Sequence, residues 1–128
     1  MNLLSDTHSF IWSFSNTKKL SSLAAQAFKN PANQIYLSVA SVWEMQIKIA
    51  LGKMVFKDTL ENIINEQQTI NGIQILSVQL VHALYLENLP PHHKDPFDRL
   101  LISQAIVENM TLVSADASFA KYQVNLLW

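Results

Sequence analysis

Short apolar runs bounded by turn residues alternate along the chain with longer segments whose apolar positions recur at helical spacing. Leu3-Leu4 reads as a short buried strand that ends at Asp6, and a helical stretch through Ile11, Trp12 and Phe14 follows. Ser21 or Ser22 caps a second helix over residues 23–29, which Asn30-Pro31 stops. Residues 34–37 are β-branched and aromatic enough for a strand. A helix from about Val39 then runs to Gly52, a residue suited to a helix C-terminus because it adopts positive φ freely. Leu60, Ile63, Ile64 and Ile70 mark a helix closed by Gly72, and residues 73–76 form the next strand. Ser77 is expected to cap a helix over Val81, Leu84 and Tyr85 that Pro90-Pro91 breaks. After a loop with His92, His93 and Lys94, Asp95-Pro96-Phe97-Asp98 opens a helix over Leu100, Leu101, Ile102 and Ala105. Residues 111–114 and 124–127 supply the last strands. On the long central helix, Trp43, Ile47 and Ala50 share a face and are assigned to the core.

Apolar strands alternating with helices imply a mostly parallel sheet of four to five strands covered on both faces, an α/β/α sandwich with right-handed crossovers. The 128 residues contain no repeat, low-complexity tract or linker, so residues 1–128 are read as one domain. In such sheets the functional crevice lies beyond the carboxyl ends of the strands. Asp6 falls just past the first strand and Asp116 just past the 111–114 strand. Glu44 lies near the start of the helix after the 34–37 strand, and Asp98 in the first turn of its own helix. All four acids are thereby placed to converge at one edge.

Composition narrows the chemistry. Without cysteine there is no disulfide framework and no thiolate zinc site, so a metal must be held by Asp, Glu, His or backbone oxygen. The opening residues lack the basic start and apolar stretch of a signal peptide, and no run is long enough for a membrane span, so a cytoplasmic protein is expected. A net charge of -1 gives no global basic character, so any nucleic-acid substrate must be attracted by a local patch, a second subunit or bound cations. Clustered carboxylates in a partly desolvated crevice repel one another, and a hard divalent cation is the simplest remedy. Mg2+ or Mn2+ takes oxygen ligands and serves phosphoryl hydrolysis, with one ion or two.

The residues carry a family resemblance. Leu3-Leu4-Ser5-Asp6-Thr7-His8 resembles the opening of PIN-domain proteins, especially the VapC-type toxins. Residues 38–44, Ser-Val-Ala-Ser-Val-Trp-Glu, resemble the family's Ser-rich entry to the helix bearing its Glu. Residues 95–105 resemble its Asp-bearing helix, and Leu112-Val113-Ser114-Ala115-Asp116 the strand end carrying the last acid. The resemblance implies a Mg2+- or Mn2+-dependent endoribonuclease that cuts RNA, commonly a homodimer, inhibited by a small antitoxin encoded beside it. It assigns Asp6, Glu44, Asp98 and Asp116 to the acidic metal site and Ser114 to a supporting role, with Thr7 and Ser41 as weaker supports. Ala115 departs from the Arg that relatives often carry there.

Each residue also has a plainer role. Asp6 suits a helix cap and Asp116 a turn. Glu44 fits a capping box with Ser41, or a pair with Lys48, but a cap at Ser38 would release it toward the crevice. Asp95, before Pro96, is the expected cap of its helix, which leaves Asp98 free for metal. Arg99 is open to pairing with Asp95 or Glu44 or to contacting a phosphate, and Lys94 is a second candidate for substrate binding. His92 and His93 lack the spacing of a zinc site and are placed in a mobile loop beside the crevice; Trp12 and Trp128 are read as core or subunit contacts. Two further classes fit less well: a haloacid-dehalogenase-type phosphatase, whose second Asp is replaced by His8, and a catalytically silent interaction module.

Overall fold

The computed structural model describes residues 1–128. Five strands, β1 (Asn2–Ser5), β2 (Gln34–Ser38), β3 (Gln74–Leu76), β4 (Thr111–Val113) and β5 (Leu126–Leu127), form one sheet in the order β3-β2-β1-β4-β5. Every pairing is parallel, with Leu4 opposite Tyr36 on one side and Leu112 on the other. The sheet expected to be mostly parallel, with four to five strands, is wholly parallel with five. Six α-helices connect the strands: α1 (Thr7–Ser15), α2 (Ser22–Lys29), α3 (Val39–Ala50), α4 (Leu60–Asn71), α5 (Leu80–Leu84) and α6 (Pro96–Val107). Short 3-10 turns at Thr17–Lys19, Tyr85–Asn88 and Ala117–Lys121 were not expected from the sequence.

Side chains alternate across the pleat and sort the core into two halves. Leu3, Ile35, Leu37 and Val113 face a cluster with Phe10 of α1, Ala24 and Ala27 of α2, Met45 of α3 and Leu60 of α4. Leu4 and Leu112 face Leu101, Ile102 and Ala105 of α6, with Phe119 and Tyr122. The helix caps follow local chemistry. Ser21, rather than Ser22, accepts the Ala24 N–H at 3.0 Å, and Gly72 ends α4 at φ 67°.

Two expectations need correction. The helix predicted from Ser77 is only the five residues of α5, because the His82 ring reaches back and its Nδ1 accepts the Gln79 N–H at 2.9 Å, fixing the start at Leu80. The Ser77 carbonyl instead accepts from Gln104 Nε2 at 3.3 Å. On α3, Trp43 and Ile47 are exposed, at 62% and 36%, and Ala50 is exposed as well. The face that α3 buries carries Ala40, Ser41, Glu44 and Met45, so a partly polar side points inward. No helix is long and apolar enough to cross a membrane.

Candidate metal centre

β1 feeds α1 on one side of the sheet, and the chain returns later to place β4 on β1's other flank. The order of strands therefore reverses between β1 and β4, and a crevice opens where their carboxyl ends diverge. A cavity of about 150 Å3 lies there, lined by Asp6, Thr7, His8, Glu44, Lys48, Asp95, Asp98, Asp116 and Phe119. All four predicted acids thus share one small, polar space, and Asp95 joins them.

Asp6 follows β1 directly. Its Oδ1 accepts the Ser9 N–H at 2.8 Å and caps α1, and the residue is buried, at 8% exposure. Glu44 comes from α3, whose cap is Ser38: its hydroxyl accepts the Ala40 N–H at 3.0 Å. The Ser41 capping box does not form, and Ser41 Oγ is buried without a hydrogen-bond partner. Glu44 is released as a Ser38 cap requires, yet it also makes the predicted pair with Lys48, at 2.9 Å through Oε2. Its Oε1 accepts the Thr7 hydroxyl at 2.6 Å, so Thr7 holds Glu44.

Asp95 caps α6 as expected, with Oδ1 accepting from Phe97 N at 2.8 Å and Asp98 N at 3.3 Å. Asp116 caps the 3-10 turn after β4. Its Oδ1 accepts the Ser118 N–H at 3.0 Å and the Ser118 hydroxyl at 2.5 Å. Ser114 accepts the Asp116 backbone N–H at 3.1 Å and so braces the main chain rather than the carboxylate. Asp6, Asp95 and Asp116 all cap through Oδ1 and keep Oδ2 free of the cap bond, so capping does not disqualify a carboxylate from a second task. The cap bonds alone do not distinguish Asp95 from Asp98, which differ in burial: Asp95 is exposed and Asp98 half-buried.

Asp98 has its pKa pushed up to about 7, first by burial and then by the negative charges of Asp95, Glu44, Asp6 and Asp116. Asp116 is held below the ordinary carboxylate range, chiefly by the Ser118 hydroxyl, with help from the Ser118 N–H and His93. The crevice thus contains acids that cannot all ionise without cost, with Lys48 the one cation on its wall. Oxygen donors in uncompensated negative surroundings fit a hard divalent ion, which Asp6, Asp98 and Asp116 could hold with Glu44 beside them.

The cations divide. Lys94 is exposed and borders an adjoining groove of about 370 Å3 with Glu44, Ile47, Lys48, Asp95, Pro96 and Phe97. Arg99 pairs with neither Asp95 nor Glu44. Its guanidinium donates to the carbonyls of Pro90 at 3.0 Å, Leu86 at 3.3 Å and Leu89 at 3.4 Å, which ties the preceding loop to α6. Sequence reasoning missed Ser118 and Tyr122 and put His93 beside the crevice without a role. His93 does not hang in its loop: its ring packs on Phe119 and Tyr122 and lies 3.6 Å from Asp116 Oδ2. Trp12 and Trp128 are partly buried and face each other at 6.0 Å.

The PIN domain model matches residues 3–125. The chain belongs to the PIN domain family. PIN domains are generally nucleases and typically bind a divalent metal. No curated protein matches by sequence. Among solved structures, the chain resembles VapBC2 from Rickettsia felis bound to a promoter DNA fragment, with TM-score 0.70, 19% identity and 98% and 97% of the two chains covered. DNA-bound VapBC from Salmonella typhimurium gives TM-score 0.69 at 13% identity over 98% and 96%. FitAcB from Neisseria gonorrhoeae gives 0.63 at 16% over 97% and 95%. At these identities the likeness establishes the fold, and the PIN-like sheet is shared with toxins of toxin-antitoxin complexes.

Proposed function

We propose that this PIN domain is a Mg2+- or Mn2+-dependent endoribonuclease, the toxin of a type II toxin-antitoxin pair, that hydrolyses RNA phosphodiester bonds. The observation that carries the reading is the convergence of Asp6, Glu44, Asp98 and Asp116, from four separate segments, on one crevice where Asp98 is pushed up to about 7 by burial and its acidic neighbours. A divalent ion bound there supplies charge stabilisation for the phosphodiester and activation of the attacking water.

The chain's own residues do the rest. Asp6, Asp98 and Asp116 hold the ion, and the caps on Asp6 and Asp116 fix one oxygen of each so that the other keeps its direction. Thr7 and Lys48 clamp both oxygens of Glu44, which keeps that carboxylate aimed along the crevice. Lys48 and Lys94 border the adjoining groove and place positive charge where RNA phosphates would lie. Hydrolysis adds water across the P–O bond, and the leaving oxygen takes up a proton. The toxin assignment draws on the neighbours, which are toxins crystallised with antitoxins; an antitoxin segment with a basic side chain suits the acidic crevice.

One observation favours a silent interaction module: Asp6 and Asp116 serve as caps and Glu44 is paired with Lys48. Cleavage separates the readings. The purified chain should cut RNA with Mg2+ or Mn2+ and stop in EDTA, and Asp6→Asn should abolish cutting with the fold intact. Equal cleavage in EDTA, or none with either ion, contradicts the proposal.

A further inference from the structure

The loop before α6 places one side chain that the carboxylate site leaves without a task. The ring of His93 is wedged against Phe119 and Tyr122, with centroids 5.0 and 5.4 Å away. The Tyr122 phenol oxygen, on a residue only 4% exposed, accepts the His93 backbone N–H at 2.9 Å and lies 3.2 Å from Nδ1. Nδ1 therefore faces Tyr122, and Nε2 faces the acids: it is 3.6 Å from Asp116 Oδ2 and 2.9 Å from Ser118 Oγ. A ring nitrogen of His93 and one oxygen each of Asp98 and Asp116 all lie within 4.8 Å of one another. Donors on a six-coordinate ion with bonds near 2.1 Å stand about 3.0 Å apart when adjacent and about 4.2 Å apart when opposite, so side-chain rotations that close these gaps by up to about 2 Å bring all three onto one ion.

We propose that His93 Nε2 is a ligand of the divalent ion held by Asp98 and Asp116, and that this mixed nitrogen-oxygen set selects Mn2+ over Mg2+. The inference rests on the metal-site reading above. Metal-bound imidazoles characteristically direct their other ring nitrogen at a fixed partner, and buried Tyr122 is that partner here. The Ser118 hydroxyl donates to Asp116 Oδ1, so without an ion its oxygen is an acceptor for a proton on Nε2. With an ion at Nε2, the neutral ring would carry its proton on Nδ1, hydrogen-bonded to Tyr122 Oη. Mg2+ prefers oxygen and gives up its waters reluctantly, whereas transition ions accept imidazole nitrogen readily. Carboxylates alone would discriminate less.

Mn2+ is the probe. With the full chain and Mn2+ bound, pulsed EPR should show modulation from a directly bonded nitrogen. His93→Gln should lose that signal, and His8→Gln, on the wall of the same crevice, should keep it. In competition binding, His93→Gln should weaken Mn2+ by about 10- to 100-fold, on the scale of disrupted metal-ligand support, while Mg2+ changes far less. Mn2+ that is bound, is released by Asp98→Asn, and shows no nitrogen modulation overturns the role of His93 and leaves the carboxylate site standing. A signal that survives His93→Gln or disappears in His8→Gln overturns it too. No Mn2+ binding at all would defeat both this inference and the metal-dependent reading. A wild-type spectrum without nitrogen modulation overturns the role of His93 even where a variant folds poorly.

Discussion

Asp98 is the residue on which burial and four neighbouring negative charges act in the same direction. An acid with a higher pKa in the folded than in the unfolded chain holds its proton more tightly when folded. Between the ordinary value near 3.8 and the folded value of about 7, the folded state binds more protons, so stability falls as pH rises through that window and levels off above it. Melting in EDTA should therefore show a decline from about pH 5 to about pH 8 that Asp98→Asn largely removes, on the order of 1 kcal/mol after solvent screening of this partly exposed group. Mn2+ should raise the wild-type melting temperature at the upper end of the range. A gap between wild type and Asp98→Asn that does not vary with pH would contradict this account of the crevice. Asp95, three residues earlier, has a separable task. Asp95→Ala should cost about 0.5–2 kcal/mol in urea unfolding through the lost cap, and Asp95→Asn, which still caps, much less. Equal midpoints for Asp95→Ala and wild type would remove that role.

At the scale of elements, the start of α3 is anchored to α6 and α5 by buried polar contacts. The Ser38 hydroxyl caps α3 and donates to Gln104 Oε1 at 2.5 Å. Gln104, fully buried, reaches the Ser77 carbonyl at 3.3 Å and His82 Nδ1 at 3.4 Å, and His82 Nε2 lies 3.1 Å from Glu108. Gln104→Leu would leave Ser38 and the Ser77 carbonyl without these partners, and should lower stability by about 1–3 kcal/mol; an unchanged urea midpoint would show that the anchor contributes nothing. Elements set by local chemistry were legible in the sequence: the strand after Gln34, the caps at Ser21 and Asp95, the stop at Gly72. The convergence of the four acids was legible in part, because Asp6 and Asp116 follow β1 and β4 directly, whereas Glu44 and Asp98 reach the same crevice from helices. What failed depended on contacts distant along the chain. The exposed Trp43 stripe looked like core because the helix buries the side that carries Glu44. His93 looked idle because Ser118 and Tyr122 are 25 and 29 positions away, and Arg99 looked open to an acid or a phosphate because its carbonyl partners leave no mark in sequence.

For the whole molecule, exposed apolar surface is the feature the fold leaves unpaired. Val39, Trp43 and Ile47 recur every four residues along α3, exposed at 42%, 62% and 36%, and the Trp43 ring packs edge-to-face with Phe97 at 5.3 Å. Leu80, Val81 and Leu84 are similarly exposed on α5, and both helices pack on α6. Such surface favours association, so sedimentation at micromolar concentration should give a dimer that Trp43→Asp weakens. A monomer under those conditions would count against the homodimer. The central claim is that the acids of the crevice form a metal site that cuts RNA, with Asp98 indispensable and Asp95 not. Single-turnover RNA cleavage in saturating Mn2+ by wild type, Asp95→Asn and Asp98→Asn tests it most directly. The account predicts that Asp95→Asn cuts at a rate close to wild type, while Asp98→Asn, folded to the same urea midpoint or better, cuts at least about 100-fold more slowly. An active Asp98→Asn beside an inactive Asp95→Asn would contradict it.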